Sequence, residues 1–176
     1  NEPISNEVLV ERMARQGVET SDEWIRERSG ITQRYWANDD QPVSVLSEIA
    51  ARNALEMAGV SADELDFIII GSSTPDMIFP SAACLVQAKL GAKNAFAMDV
   101  QAACTGFVYA LSVANSMIQS GQIKTALVIG AETISDVLDE QDRTTAVLFG
   151  DGAGAVVVRA SDEPGILACK LHSDGE

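Results

Sequence analysis

Three short apolar runs constrain this chain more than any other feature: DFIIIG at residues 66–71, FAMDV at 96–100 and TALVIG at 125–130. Each is continuous and bounded by polar or small residues, as buried strands of parallel sheets are. Helical patterns fill the intervals, and parallel neighbours need such crossovers. The alternation from Pro42 to Gly130 predicts an α/β fold with a mostly parallel sheet covered by helices.

The middle of this pattern, residues 96–121, also carries the chemistry. After the buried strand at 96–100 comes a small-residue turn at 101–103, and Cys104 then opens an apolar helix running to about Ser120 and stopping at Gly121. A side chain at a helix N-terminus faces backbone N–H groups without intrahelical partners, which favour an anion. Thiol pKa values fall in such places, and a strand–turn–helix corner pushes its first side chain outward. Cys104 therefore reads as an acyl-accepting nucleophile. The competing reading is an inert cysteine in an apolar segment, since free Cys is often buried.

The flanking sequence gives further elements. Residues 5–15 read as a short amphipathic helix. Thr20, Ser21, Asp22 and Glu23 start another, containing Trp24, Ile25, Arg26 and Arg28 and stopping at Ser29-Gly30. Residues 31–37 read equally as strand or extended loop. Pro42 opens a helix to Ala58 with Val45, Leu46, Ile49, Ala50, Leu55 and Ala58 inward, capped by Gly59. Residues 72–79 form a loop, and Pro80 starts a helix ending at Leu90-Gly91. Residues 131–143 are acidic, part loop and part helix. Strands are expected at 146–149 and 155–159, joined by glycines, and at 165–172. These last strands follow one another directly, so an antiparallel portion is expected there.

Composition excludes several classes. The 176 residues are 47% hydrophobic, enough for one packed domain, and carry a net charge of −14, which disfavours nucleic acid and anionic membrane as partners. No apolar run reaches about 18 residues, so no transmembrane helix is expected. No basic, apolar leader is visible, so no signal peptide is expected, although the chain opens at Asn1 without Met. Cys84, Cys104 and Cys169 show no metal-type spacing, which argues against a zinc site or disulfide framework and suits a cytoplasmic location.

Other constellations are weaker. GDGAGA at 150–155 is not read as a nucleotide loop, because a strand pattern rather than a helix follows it. Its glycines fit a tight turn and close backbone approach. His172, the sole histidine, reads as a strand residue without a catalytic task. Trp24 and Arg28, four apart, share a helix face and together suit a flat anionic ligand; a half-buried Trp anchoring a short helix explains the same spacing. Arg143, among Asp136, Asp139, Glu140 and Asp142, reads as a surface ion pair of little energetic weight.

The ordered set of motifs resembles one family, β-ketoacyl-acyl-carrier-protein synthase III of the thiolase superfamily. The carriers are TSDEW (20–24) with RSGI (28–31), FPSAAC (79–84), DVQAACTGF (99–107), TALVIGAE (125–132), DR (142–143), FGDGAGA (149–155) and LHSDG (171–175). The resemblance implies one thiolase-like half of a duplicated αβαβα fold, residues 1–176, without its opening strand or C-terminal half. It implies an acyl-CoA substrate, no permanently bound cofactor, no metal, malonyl-acyl carrier protein as second substrate and a homodimer. Cys104 matches the nucleophile. Trp24 and Arg143 match the residues that hold the adenine of CoA, with Thr20 and Arg28 nearby. Ile134 and Phe149 match acyl-pocket positions, and Phe79 matches a residue reaching the partner subunit. The family's catalytic His and Asn, second oxyanion donor and basic carrier-docking patch belong to the other half. Alternatives are another condensing enzyme of the superfamily, hydroxymethylglutaryl-CoA synthase-like or quinolone-synthase-like, or a non-catalytic half-fold dimerisation module.

Overall fold

A computed structural model describes residues 2–175. The chain falls into two units: Asn1–Pro42 with Thr133–Gly152, and Val43–Glu132 with Ala153–Glu176.

The second unit holds the main sheet. Its strands are β3 (Phe67–Gly71), β4 (Phe96–Val100), β5 (Thr125–Glu132) and β6 (Gly152–Arg159), in spatial order β4-β3-β5-β6. β3 runs parallel to both β4 and β5, with Ile69 opposite Met98 on one side and Val128 on the other. The Ala160 N–H donates to the Lys124 carbonyl at 2.8 Å. The end of β6 thus lies beside the start of β5, and these two run antiparallel. The mostly parallel mixed sheet is the one the apolar runs predict.

Strand periodicity sorts the side chains into two layers. Ile68, Ile70, Leu127 and Ile129 face α3 (Val43–Ala58) and α4 (Ala82–Leu90). Phe67, Ile69, Ala126 and Val128 face α5 (Gly106–Gln119). α5 buries Gly106, Ala110 and Ala114, spaced four apart. This stripe of small residues brings the helix close to the sheet. Gly59, Gly91 and Gly121 each take positive φ after α3, α4 and α5, where a Cβ is disfavoured.

The first unit is built from β1 (Ile4–Ser5), α1 (Asn6–Ala14), α2 (Asp22–Ser29), β2 (Gln33–Arg34) and α6 (Arg143–Ala146). β1 and β2 pair antiparallel. Leu9, Met13, Ile25, Ala146 and Val147 form its core. Ser21 caps α2, its hydroxyl accepting the Trp24 N–H at 3.1 Å, and Gly30 ends it at φ 72°.

Several expectations are corrected. The inner face of α3 is Val43, Ser44, Ser47, Ala51, Ala54 and Leu55, while Ile49 is 53% exposed; small residues let α3 lie close to the sheet, and this set keeps the helical period equally well. Pro80 precedes α4, and Ser81 caps the helix by accepting the Cys84 N–H at 3.3 Å. β4 is the sheet edge, not a buried strand, and leaves Phe96 45% exposed. Residues 146–149 are not a strand. Asp142 caps a helical turn there, accepting the Thr144 N–H at 2.9 Å, and this turn buries Ala146 and Val147. The glycines at 152 and 154 lie inside β6 instead of joining two strands. Residues 165–172 form no strand, since no ladder partner is present among the described residues.

Candidate functional site

In the second unit the chain leaves β4, passes through a 3-10 turn at Ala103–Thr105 and enters α5. Cys104 sits in that turn and is solvent-exposed. It is therefore not the buried cysteine of the competing reading. The helix proper starts two residues later than the cysteine, so the thiol rides on the turn ahead of the helix. Cys84, by contrast, is half-buried on α4 with its Sγ 3.8 Å from the Ala97 carbonyl, and Cys169 lies in the irregular tail.

Two glycines set the height of this turn. A Cβ on Gly71, at the end of β3, would lie 2.4 Å from the Gly106 carbonyl carbon and 2.6 Å from the Phe107 nitrogen. Only glycine allows that approach of backbone to backbone. The turn itself is stretched: Ala103 has φ +43°, sparsely populated for a residue with a Cβ. It is held by the Ala103 N–H donating to Ser73 Oγ at 3.1 Å and by the Thr105 hydroxyl donating to the Ala102 carbonyl at 2.7 Å.

Behind Ser73 lies a carboxylate to which no sequence motif assigned a role. Glu132, the last residue of β5, accepts the Ser73 N–H at 2.9 and 3.1 Å and the Thr74 hydroxyl at 2.5 Å. A charge ending an otherwise apolar strand was the available signal.

His172 lies in the irregular tail of the same unit, and the Tyr109 hydroxyl donates to its backbone carbonyl at 2.8 Å. Phe79 is 81% exposed in the loop before α4.

The first unit gathers the aromatic and cationic candidates. The Arg28 guanidinium lies 4.5 Å from the Trp24 ring centroid and that of Arg143 4.8 Å. Arg143 also donates to the Glu19 carbonyl at 2.7 Å. It is thus a stacked side chain and not the surface ion pair its acidic neighbours suggested. Thr20 follows Glu19, and its buried hydroxyl has no hydrogen-bond partner among the described residues. Trp24 is half-buried against the core of its unit, so it anchors α2 and carries both guanidiniums at once. Asp142 caps the turn bearing Arg143. Hydrogen bonds from the Thr144 hydroxyl, then the Thr145 hydroxyl, hold its carboxyl below the ordinary aspartate range.

The same unit explains the GDG sequence. Gly150 passes close to Tyr35 and Arg34, where a Cβ would meet the Tyr35 carbonyl oxygen at 3.0 Å. Asp151 accepts the Ala37 N–H at 2.6 Å and the Ser135 N–H at 2.8 Å. It thereby fixes the 3-10 turn Ile134–Val137, on which Ile134 is half-buried. Phe149 is partly exposed, and its carbonyl accepts the Trp36 indole N–H at 3.4 Å. Beneath this lies a buried polar chain that sequence reading did not find. Arg34, 5% exposed, donates to Asn6 Oδ1 at 2.7 Å, and Asn6 Nδ2 donates to Asp22 at 2.7 Å.

Among the described residues no cluster of three or more His, Cys, Asp or Glu side chains could hold a metal, and no helix is long and apolar enough to cross a membrane.

Comparison with known proteins bears on both units. A family model described as 3-Oxoacyl-[acyl-carrier-protein (ACP)] synthase III matches residues 98–175. The chain is 49% identical to the 3-oxoacyl-[acyl-carrier-protein] synthase III of Aquifex aeolicus VF5, with a TM-score of 0.87 over 93% of this chain and 51% of that one. The corresponding synthase III structure from Pseudomonas aeruginosa PAO1 gives 42% identity and a TM-score of 0.84, over 92% of this chain and 49% of that one. That from Thermus thermophilus gives 39% and 0.83, over 91% and 48%. The chain thus spans about half the length of the solved relatives it matches. On its sequence, its mixed sheet and this likeness, the chain belongs to the 3-oxoacyl-[acyl-carrier-protein] synthase III family of the thiolase superfamily.

Proposed function

We propose that this chain is the nucleophile-bearing N-terminal half-domain of a cytoplasmic condensing enzyme that initiates fatty-acid synthesis. The exposed position of Cys104 on the β4–α5 turn is the observation that carries the reading. In the first step the Cys104 sulfur attacks the thioester carbonyl of an acyl-CoA. The acyl group moves to the cysteine, and CoA leaves as the thiol. The Cys104 N–H is proposed as one donor to the oxyanion of that step. In the second step malonyl-acyl carrier protein loses carbon dioxide. The resulting carbanion attacks the acyl-cysteine and releases the thiolate.

Trp24, Arg28, Arg143 and Thr20 are the proposed grip on CoA. The two guanidiniums beside the indole supply a flat, cationic surface matched to an adenine nucleotide. Ile134 and Phe149 are the proposed acyl-pocket residues. Phe79, projecting from its loop, is proposed to reach a second copy in a homodimer. The exposed edge strand β4 suits pairing with that copy.

The test is incubation with isotope-labelled acetyl-CoA followed by peptide mass spectrometry. Label is expected on the peptide holding Cys104, abolished by Cys104→Ala and kept in Cys84→Ala and Cys169→Ala. Label on any other peptide refutes the reading.

A further inference from the structure

We infer that Glu132 is the positioning residue of the nucleophile turn, acting through Ser73; the inference rests on the reading of Cys104 as acyl acceptor. Three donors from one loop converge on the Glu132 carboxylate: the Ser73 N–H at 2.9 and 3.1 Å, the Thr74 hydroxyl at 2.5 Å and the Ser72 hydroxyl at 3.4 Å. The same loop is tied to the end of β4, where the Ser72 N–H donates to the Val100 carbonyl at 3.1 Å. Residues 72–74 are therefore fixed between the ends of two strands that both flank β3.

What the loop then holds is the turn. Ser73 Oγ accepts the N–H of Ala103, the one described non-glycine residue with positive φ, at 3.1 Å. Strained backbone of this kind persists only where its surroundings over-determine it. Ala103 is bonded to Cys104, so its dihedral angles set where the sulfur and the Cys104 N–H point. The chain of control runs from Glu132 to the Ser73 backbone, through the Ser73 hydroxyl to Ala103, and so to Cys104. An ionised acceptor makes stronger hydrogen bonds than a neutral one, which accounts for a carboxylate closing an apolar strand.

The test compares Glu132→Ala, Glu132→Gln, Ser73→Ala, the double variant Glu132→Ala/Ser73→Ala, and Ala103→Gly placed on Glu132→Ala. Single-turnover acylation of Cys104 by acetyl-CoA is read at saturation and at half-saturation. Glu132→Ala is expected to slow the saturating step about tenfold or more, because small misplacements of a reacting group are costly. The half-saturating concentration should hold, since no CoA contact is altered. Glu132→Gln, which keeps one acceptor oxygen, should retain more activity than the alanine variant and carries the comparison if that variant misfolds. The double variant should be no slower than the slower single, because both break one link. Ala103→Gly should restore part of the rate, glycine taking positive φ freely.

Wild-type acylation by Glu132→Ala, multiplying losses in the double variant, or no recovery with Ala103→Gly would each overturn the assignment. If the wild-type chain takes no acetyl group, it is the acyl-transfer reading that fails. Iodoacetamide alkylation of Cys104, mapped by peptide, then decides the positioning role alone: equal rates in wild type and Glu132→Ala refute it, and a changed rate supports it.

Discussion

Gly71→Ala probes the link between fold and site most directly. The added methyl would sit 2.4, 2.6 and 2.7 Å from the Gly106 carbon, the Phe107 nitrogen and the Gly106 oxygen, where ordinary contact begins at 3.4 Å. All three atoms are backbone, so no side chain can rotate away. The first turn of α5 must move by about 1 Å, or β3 must distort by as much. Overpacking of this kind costs about 1–3 kcal/mol. Cys104 lies two residues before Gly106, and a misplacement near 1 Å costs roughly 100-fold in rate when it reaches the reacting atom. Urea denaturation gives the stability term, and labelling of Cys104 by acetyl-CoA gives the site term. Gly154→Ala is the control, because nothing lies within 4 Å of a Cβ there. Gly106→Ala should fall between the two, its nearest contact being 3.3 Å. If Gly71→Ala matches the control in both assays, the close approach does not set the position of the turn.

Three further outcomes are expected. Asn6→Ala removes the one side-chain acceptor of Arg34, which keeps the Ile4 and Val147 carbonyls, and a donor to Asp22; it should lower stability by about 1–3 kcal/mol in urea denaturation, and a change under about 0.3 kcal/mol would show that the buried polar chain is not needed. Trp24→Ala should weaken CoA binding by about tenfold, within the usual worth of base stacking on an aromatic ring, and calorimetric titration showing equal affinity would refute the proposed grip. The carboxyls of Asp22, held low first by Arg26 and then by Asn6, and of Asp142 titrate below the ordinary aspartate value in the folded chain. Their contribution is complete above an unfolded value of about 3.9 and is lost as pH falls through the lower folded values. Stability should therefore not respond to these two groups from pH 8 to 5, and the loss below about pH 4 should be reduced in Asp22→Asn/Asp142→Asn; an unchanged acid limb would contradict this.

Where the deciding signal was local, the sequence was readable. Ser21, Gly30, Gly59, Gly91 and Gly121 all act as the caps their types predict. The apolar runs at 66–71 and 125–130 are central strands because continuous Ile and Val leave no face for water. Local pattern failed where two structures fit one string. The apolar residues at 146–149 look like a strand, yet Asp142 caps a helical turn there. On α3, two faces carried the helical period, and the face with smaller residues was buried.

The sequence by itself determined the alternation of strands and helices, the placement of the caps, and the position of Cys104 at a strand-to-helix corner, because each depends on neighbours within a few residues. Only the tertiary structure decided that Gly71 touches Gly106, that Arg143 stacks on Trp24, that Asn6 accepts a hydrogen bond from Arg34, and that Glu132 reaches Ala103 through Ser73. Those pairings join residues far apart in the chain. Their energies come from contacts made only after distant segments of each unit have come together, and no local periodicity encodes them.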